Sequence, residues 1–221
     1  AEYGLGRGVS VLDGRLIDST MGRAAAPQDI RGARALPGRH NHQNAAAAYA
    51  ACRALGLEPR DILSGLASFA GLPHRLETIG EFEGVRFIND SKATNAQAAE
   101  QALRAFPNAY WIVGGRPKED GIDELEACFA TVRKAYLIGE STESFSRALA
   151  GKLEVQKCRT LDVAVEAAFA DARASGDKAP VVLFSPACAS FDQFRDFEQR
   201  GDAFRVAAAQ LARRRTLKES A

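Results

Sequence analysis

The chain has 221 residues, 46% of them hydrophobic and 26% charged, with 29 Lys and Arg against 28 Asp and Glu. Such a chain buries a core without staples and is long enough for one large or two small domains. A formal net charge of +1 offers no electrostatic footprint for nucleic acid, and the one dense basic run, "ARRRTLK" near the end, reads as a solvated helix tail.

The first elements are a hairpin and two helices. Residues 9–18, "VSVLDGRLID", alternate around Asp13-Gly14, a strong two-residue hairpin signal. After the loose stretch "GRAAAPQDIRGARALPG", the run "RHNHQNAAAAYAACRALG" predicts a helix ending at Gly56. Pro59 opens a second helix, "PRDILSGLASFA", with Ile62, Leu63, Leu66 and Phe69 on one face. "GLPHR" then breaks the pattern, and Gly71 with Pro73 makes it the best domain boundary in the chain.

From Arg75 onward strands and helices alternate. "LETIGEF" and "VRFIND" join at Glu83-Gly84, and "AYWIVGG", "KAYLIGE", "LEVQKC" and "PVVLFSP" follow, separated by helical stretches such as "DELEACFATVRK" and "DVAVEAAFADARA". The expected fold is α/β: a Rossmann-like parallel sheet covered by helices on both faces, with an antiparallel hairpin strand at one end. In such sheets ligands sit beyond the carboxyl ends of the strands. The polar clusters "NDSKATN", "GGRPKED", "GEST" and "SPACASFDQF" fall at those ends.

"NDSKATN", residues 89–95, carries more polar chemistry than a turn needs. Asp90 offers acceptors for sugar hydroxyls or a hydrated metal, and Lys92 is a mobile point charge for a phosphate or carboxylate. The plainer alternative makes Thr94 or Asn95 a helix cap and Asp90 with Lys92 a surface ion pair. The residues alone leave both open.

The four cysteines, Cys52, Cys128, Cys158 and Cys188, form no CxxC pair, so reduced and mostly buried thiols are expected. Cys188 has no matched base and reads as packing rather than as a nucleophile. His40 and His42 lack metal-ligand spacing and a third ligand, so no metal site is expected in this chain. No apolar run reaches membrane-span length and no leader pattern opens the chain, so a cytoplasmic location is expected. The first residue is Ala1 and the single methionine, Met21, has no start-like context, so the expectation is a piece of a longer protein.

Five segments together resemble the Mur ligases: "GRHNHQNAAAA" (38–48), "GLPHRLE" (71–77), "INDSKATN" (88–95), "GGRPK" (114–118) and "SPACASFDQFRDFEQRGDAF" (185–204). The resemblance is to the member that adds D-glutamate. It implies an ATP-dependent amide-bond ligase of three domains, monomeric when complete, that joins D-glutamate to UDP-N-acetylmuramoyl-L-alanine through an acyl phosphate. Residues 1–72 would be the end of the central ATP-binding domain, and 73–221 the whole amino-acid-binding domain. The phosphate loop GxxxxGK[ST] is absent from this sequence. The Mg2+ ligands are therefore expected outside it, and the chain alone should be inactive.

The resemblance also implies roles. Asn41 and Asn44 would meet the adenine; the alternative is that they only cap the helix start. Arg75 would reach the ATP phosphates and Asp90 the ribose, so that domain closure seals ATP. Lys92, Thr94, Lys118, Ser190 and Phe191 match positions that hold D-glutamate and the acyl end of the sugar substrate, with Lys92 and Lys118 the catalytic cations. Phe197 would wall the glutamate, unless its phase with Phe194 and Phe204 makes it a core aromatic. Two other readings stand beside this one: a folylpolyglutamate-synthase-like ligase, and a non-catalytic amino-acid-binding module.

Overall fold

The computed structural model describes residues 7–22, 24–33, 35–118 and 121–219, without the side chains of 212 and 214–219. Most of the basic run at the end of the chain therefore lies outside the described side chains. The chain divides into two compact units, Ala1–Gly71 and Leu72–Ala221.

In the first unit, β1 (Val9–Leu12) and β2 (Arg15–Asp18) form the expected hairpin, with Leu12 opposite Arg15. Asp13 and Gly14 both take positive φ, 48° and 72°, the geometry that matches a two-residue turn to the twist of its strands. A third strand, β3 (Gln28–Asp29), pairs with β2 inside the stretch expected to be loop. Two exposed residues are too short a run to carry a period-2 signal. Helices α1 (Arg39–Ala54) and α2 (Pro59–Ser68) follow the sequence reading, with Pro59 in the first turn of α2. Leu16, Ile30, Ala45, Tyr49 and Ile62 form the core, while Phe69, just after α2, is 41% exposed and outside that core.

The second unit is a six-stranded sheet in the order β4-β5-β9-β6-β7-β8. Its strands are β4 (Glu77–Phe82), β5 (Val85–Asn89), β6 (Ala109–Gly114), β7 (Val132–Ile138), β8 (Val155–Arg159) and β9 (Val181–Phe184). All pairs are parallel except the β4–β5 hairpin. Side chains alternate between two cores. Ile88, Trp111, Val113, Leu137 and Leu183 face α3 (Ala96–Ala105), α4 (Glu126–Phe129) and α5 (Thr142–Ala148). Phe87, Ile112, Tyr136, Val182 and Phe184 face α6 (Leu161–Ala174) and α7 (Phe197–Glu219).

One helix is shorter than the periodicity of "DELEACFATVRK" predicts. After a single 3-10 turn, Asp123–Leu125, α4 stops at Phe129 and β7 begins at Val132. The backbone N–H and the hydroxyl of Thr131 both donate to the Cys128 carbonyl, closing the helix, and Val132 then pairs with Ala109.

The position of β9 decides where a ligand can sit. The chain runs from β5 through α3 to β6, and only later returns to insert β9 between them. The carboxyl ends of β5, β9 and β6 thus stand side by side at the point where strand order reverses, the usual crevice of an open α/β sheet.

Candidate substrate-binding site

The polar run after β5 sorts into inward and outward residues. Asn89 is fully buried; its side-chain amide donates toward His74 Nδ1 (3.1 Å) and the Gly201 carbonyl (3.1 Å), and its carbonyl oxygen accepts from the Ser91 N–H. Asp90 is also buried: Oδ1 accepts from the Leu76 N–H and Oδ2 from the Ser185 hydroxyl at 2.8 Å. Burial outweighs both donors and the nearby charge of Arg75, pushing the Asp90 carboxyl up to about 7. Asp90 and Lys92 are not the surface ion pair of the plainer reading, because one points into the protein and the other out of it.

Lys92 is exposed; its N–H donates to the His74 carbonyl, its own carbonyl accepts from the Thr94 N–H, and its ammonium lies 4.0 Å from the ring centroid of Phe197. The helix cap is Asn95, whose side chain accepts from the Ala98 N–H at 2.8 Å. The Thr94 hydroxyl makes no hydrogen bond among the described residues, which leaves it available to a ligand. Phe197 stands outside the core cluster that takes Phe194 and Phe204, at the first residue of α7 and edge-on to His74. It is half-buried and lies on the side of Lys92.

The other strand ends close around this loop. Beyond β6, Arg116 forms a two-way backbone bridge with Ala189, joining "GGRPK" to "SPACAS". Gly115, at φ 140°, allows that approach; a Cβ there would fall 2.5 Å from the Ala189 carbonyl oxygen. Exposed Lys118 lines a cleft of about 130 Å³ with Asn95, Ala96, Gln97, Gly121, Glu124 and Ala187. The cap and first residues of α3 thus share a cleft with Lys118, and a helix start beside a lysine is a pairing suited to an anion. Ser190 is buried while the next residue, Phe191, is 62% exposed. Cys188 is buried with its thiol pushed up to about 12 by desolvation, consistent with packing rather than nucleophilic attack.

Arg200 is the residue that sequence reasoning missed. It is 1% exposed and donates from Nε to Ser91 Oγ (3.1 Å), from Nη2 to the Ser91 carbonyl (2.8 Å) and from Nη1 to the Cys188 carbonyl (3.0 Å). Burial lowers it to about 10, so it stays charged at neutral pH. The available signal was its phase: Phe197, Arg200, Phe204 and Ala208 follow helical spacing, placing a guanidinium on an apolar face.

Arg75 is exposed, one residue before buried Leu76. Asn41 and Asn44 belong to α1 in the first unit. Asn41 is buried and donates to the Pro37 carbonyl, and Asn44, exposed, donates to Asn41 Oδ1 at 3.4 Å. Neither caps α1, whose N-cap is Gly38. Among the described residues no group of three or more His, Cys, Asp or Glu is placed to hold a metal ion. Nor is any described helix long and apolar enough to cross a membrane.

Residues 74–188 match the family model for the Mur ligase glutamate ligase domain. The UDP-N-acetylmuramoylalanine--D-glutamate ligase of Caulobacter vibrioides is 58% identical over 203 residues, covering 92% of this chain and 43% of that protein. The chain thus spans under half the length of this curated relative. Among solved structures, the UDP-N-acetylmuramate-alanine ligase of Thermotoga maritima matches with a TM-score of 0.62 at 18% identity, over 91% of this chain and 44% of that one. The bifunctional folylpolyglutamate synthase/dihydrofolate synthase of Yersinia pestis matches at 0.54 and 19% identity, over 86% and 42%. At these identities the structural likenesses establish the fold alone.

Proposed function

The chain belongs to the Mur ligase family, and on that premise we propose that it is the carboxyl-terminal part of an ATP-dependent ligase joining D-glutamate to UDP-N-acetylmuramoyl-L-alanine in peptidoglycan precursor synthesis. The observation that carries this reading is that two cationic features, Lys92 over Phe197 and Lys118 in the cleft at the start of α3, both fall at strand ends beside the reversal of strand order. D-glutamate is a dicarboxylate with an attacking amine, so its pocket needs cations for the carboxylates and directed hydroxyls for orientation. Lys92 and Lys118 supply the charge, Thr94 and Ser190 the direction, and Phe197 and Phe191 the apolar surface. The 58% identity to a D-glutamate ligase favours this substrate over that of a folylpolyglutamate synthase, whose likeness is one of fold.

ATP enters as the activating co-substrate: its terminal phosphoryl group passes to the sugar-peptide carboxylate, and the neutral amine of D-glutamate displaces inorganic phosphate. Arg75, exposed beside buried Leu76, is assigned to the phosphates, and Asn44 with Asn41 to the adenine. Asp90 is assigned to the ribose through the acceptor positions that Leu76 and Ser185 leave free, since a carboxylate has about four. The contribution of these residues is positioning and charge stabilisation, with no covalent nucleophile. Residues 1–72 and 73–221 are assigned to the ATP-binding and amino-acid-binding domains.

The test is phosphate release dependent on D-glutamate. The full-length ligase is expected to show it. Lys92→Ala and Lys118→Ala should nearly abolish it with little change in melting temperature, because exposed lysines contribute little to folding. The 221-residue chain alone, which carries no phosphate loop, is expected to show none. Normal ligation by both lysine variants refutes the site.

A further inference from the structure

Three strand-end loops converge on the guanidinium of Arg200. It bonds the loop after β5 twice, through Ser91, and the loop after β9 once, through Cys188. The loop after β6 packs against it as well: a Cβ on Gly115 would lie 3.2 Å from Nη1. The Ser91 hydroxyl that accepts from Arg200 in turn donates to the Phe197 carbonyl, the residue beneath the Lys92 ammonium. Gly201 sets the depth of the helix, since a Cβ there would meet His74 Nδ1 at 2.2 Å.

No carboxylate forms an ion pair with Arg200 among the described residues; carbonyls, one hydroxyl and the face of Phe184 at 5.8 Å surround it. Asp192 lies close enough to favour its charge, but spends Oδ2 on the Glu140 N–H. A buried cation without a counter-ion is a poor way to stabilise a fold, where an apolar side chain of similar volume does as well or better. Its fork geometry, however, is suited to fixing two carbonyls and a hydroxyl at once.

We propose that Arg200 is a positioning residue, locking the loops after β5 and β9 at one separation so that Lys92 and Ser190 meet the two carboxylates of a single dicarboxylate substrate. This rests on the reading of the site as a D-glutamate pocket. Arg200 touches no substrate in this role; it acts through Ser91, Phe197 and the Cys188 carbonyl.

The test uses Arg200→Lys and Arg200→Met, each in the full-length ligase and in the 221-residue chain. In the ligase, Arg200→Met should raise KM for D-glutamate by about tenfold or more while KM for the sugar nucleotide changes by less than about twofold. Arg200→Lys keeps the charge and loses the fork, and should show most of the same rise. In the 221-residue chain, the backbone amides of Ser91–Thr94 and of Cys188–Ser190 should shift together in the NMR spectrum of either variant. Should Arg200→Met fail to fold, Arg200→Lys and Ser91→Ala, which removes only the hydroxyl link, carry the same expectations at smaller size. Folded variants whose D-glutamate KM is unchanged, or whose kinetic constants all fall only with the folded fraction, overturn the proposal. If the wild-type ligase does not use D-glutamate, the functional reading fails, and coupled amide shifts of the two loops still decide whether Arg200 ties them.

Discussion

The Lys92 ammonium rests 4.0 Å from the ring centroid of Phe197, although the two residues are 105 positions apart in sequence (197 − 92). The contact parks an exposed cation at a defined point over the strand ends. Phe197→Leu keeps apolar bulk and removes the aromatic face. In the wild-type chain the Lys92 ε-methylene protons are expected upfield of those of the other lysines, and in the variant at the ordinary lysine position. Melting should change little, because an exposed cation–π contact is worth about 0.5–1 kcal/mol. Lys92 signals identical in the two proteins would show that the ammonium does not rest there.

Thr94 and Asn95 separate capping from binding. Asn95→Ala removes the acceptor for the Ala98 N–H and should cost about 1 kcal/mol of stability in urea unfolding. Thr94→Ala removes a hydroxyl with no partner among the described residues and should leave the unfolding midpoint nearly unchanged while raising KM for D-glutamate in the full-length ligase. A reversed pattern would return Thr94 to the role of helix cap.

Alternation of strands and helices, the Asp13-Gly14 turn and the Glu83-Gly84 hairpin were all legible, because each rests on local periodicity or on a residue that tolerates positive φ. The insertion of β9 between β5 and β6 was not, since sheet order is set by packing between segments far apart in sequence. The same holds for the site. Polar residues at strand ends marked where a ligand belongs, but which of them face outward depended on burial. Asp90 turned inward to Ser185, a partner 95 residues away, and no local pattern encodes that. Arg200 was hidden for the opposite reason: a charged residue inside a helical stretch is ordinarily assigned to solvent.

Two glycines with left-handed backbone distinguish conformational from steric need. Gly84, φ 77°, has open space where a Cβ would go, whereas at Gly139, φ 67°, a Cβ would lie 2.1 Å from Asp192 Oδ2 and 2.8 Å from the Gly115 Cα. Gly84→Ala should cost about 1–2 kcal/mol, the backbone term alone. Gly139→Ala should cost clearly more and should also release the Asp192 contact with the Glu140 N–H. Urea unfolding of both variants orders them, and equal midpoints would mean that the loops after β7 and β9 separate without strain.

The buried carboxyl of Asp90 makes stability depend on pH in a direction opposite to that of most acidic groups. Its folded pKa of about 7 lies above the ordinary 3.8, so between those values the folded state binds more protons than the unfolded one. Stability therefore falls as pH rises from the lower value to the upper, and levels off beyond it. Asp90→Asn cannot ionise, and its carbonyl oxygen can still accept from the Leu76 N–H. The variant should be flatter in that window and gain on the wild type by up to about 1.4 kcal/mol per pH unit. Urea unfolding at several pH values between 4 and 8 measures the difference. Parallel curves for the two proteins would mean that Asp90 titrates alike in the folded and unfolded chains, and that the donors from Leu76 and Ser185 offset its desolvation in full.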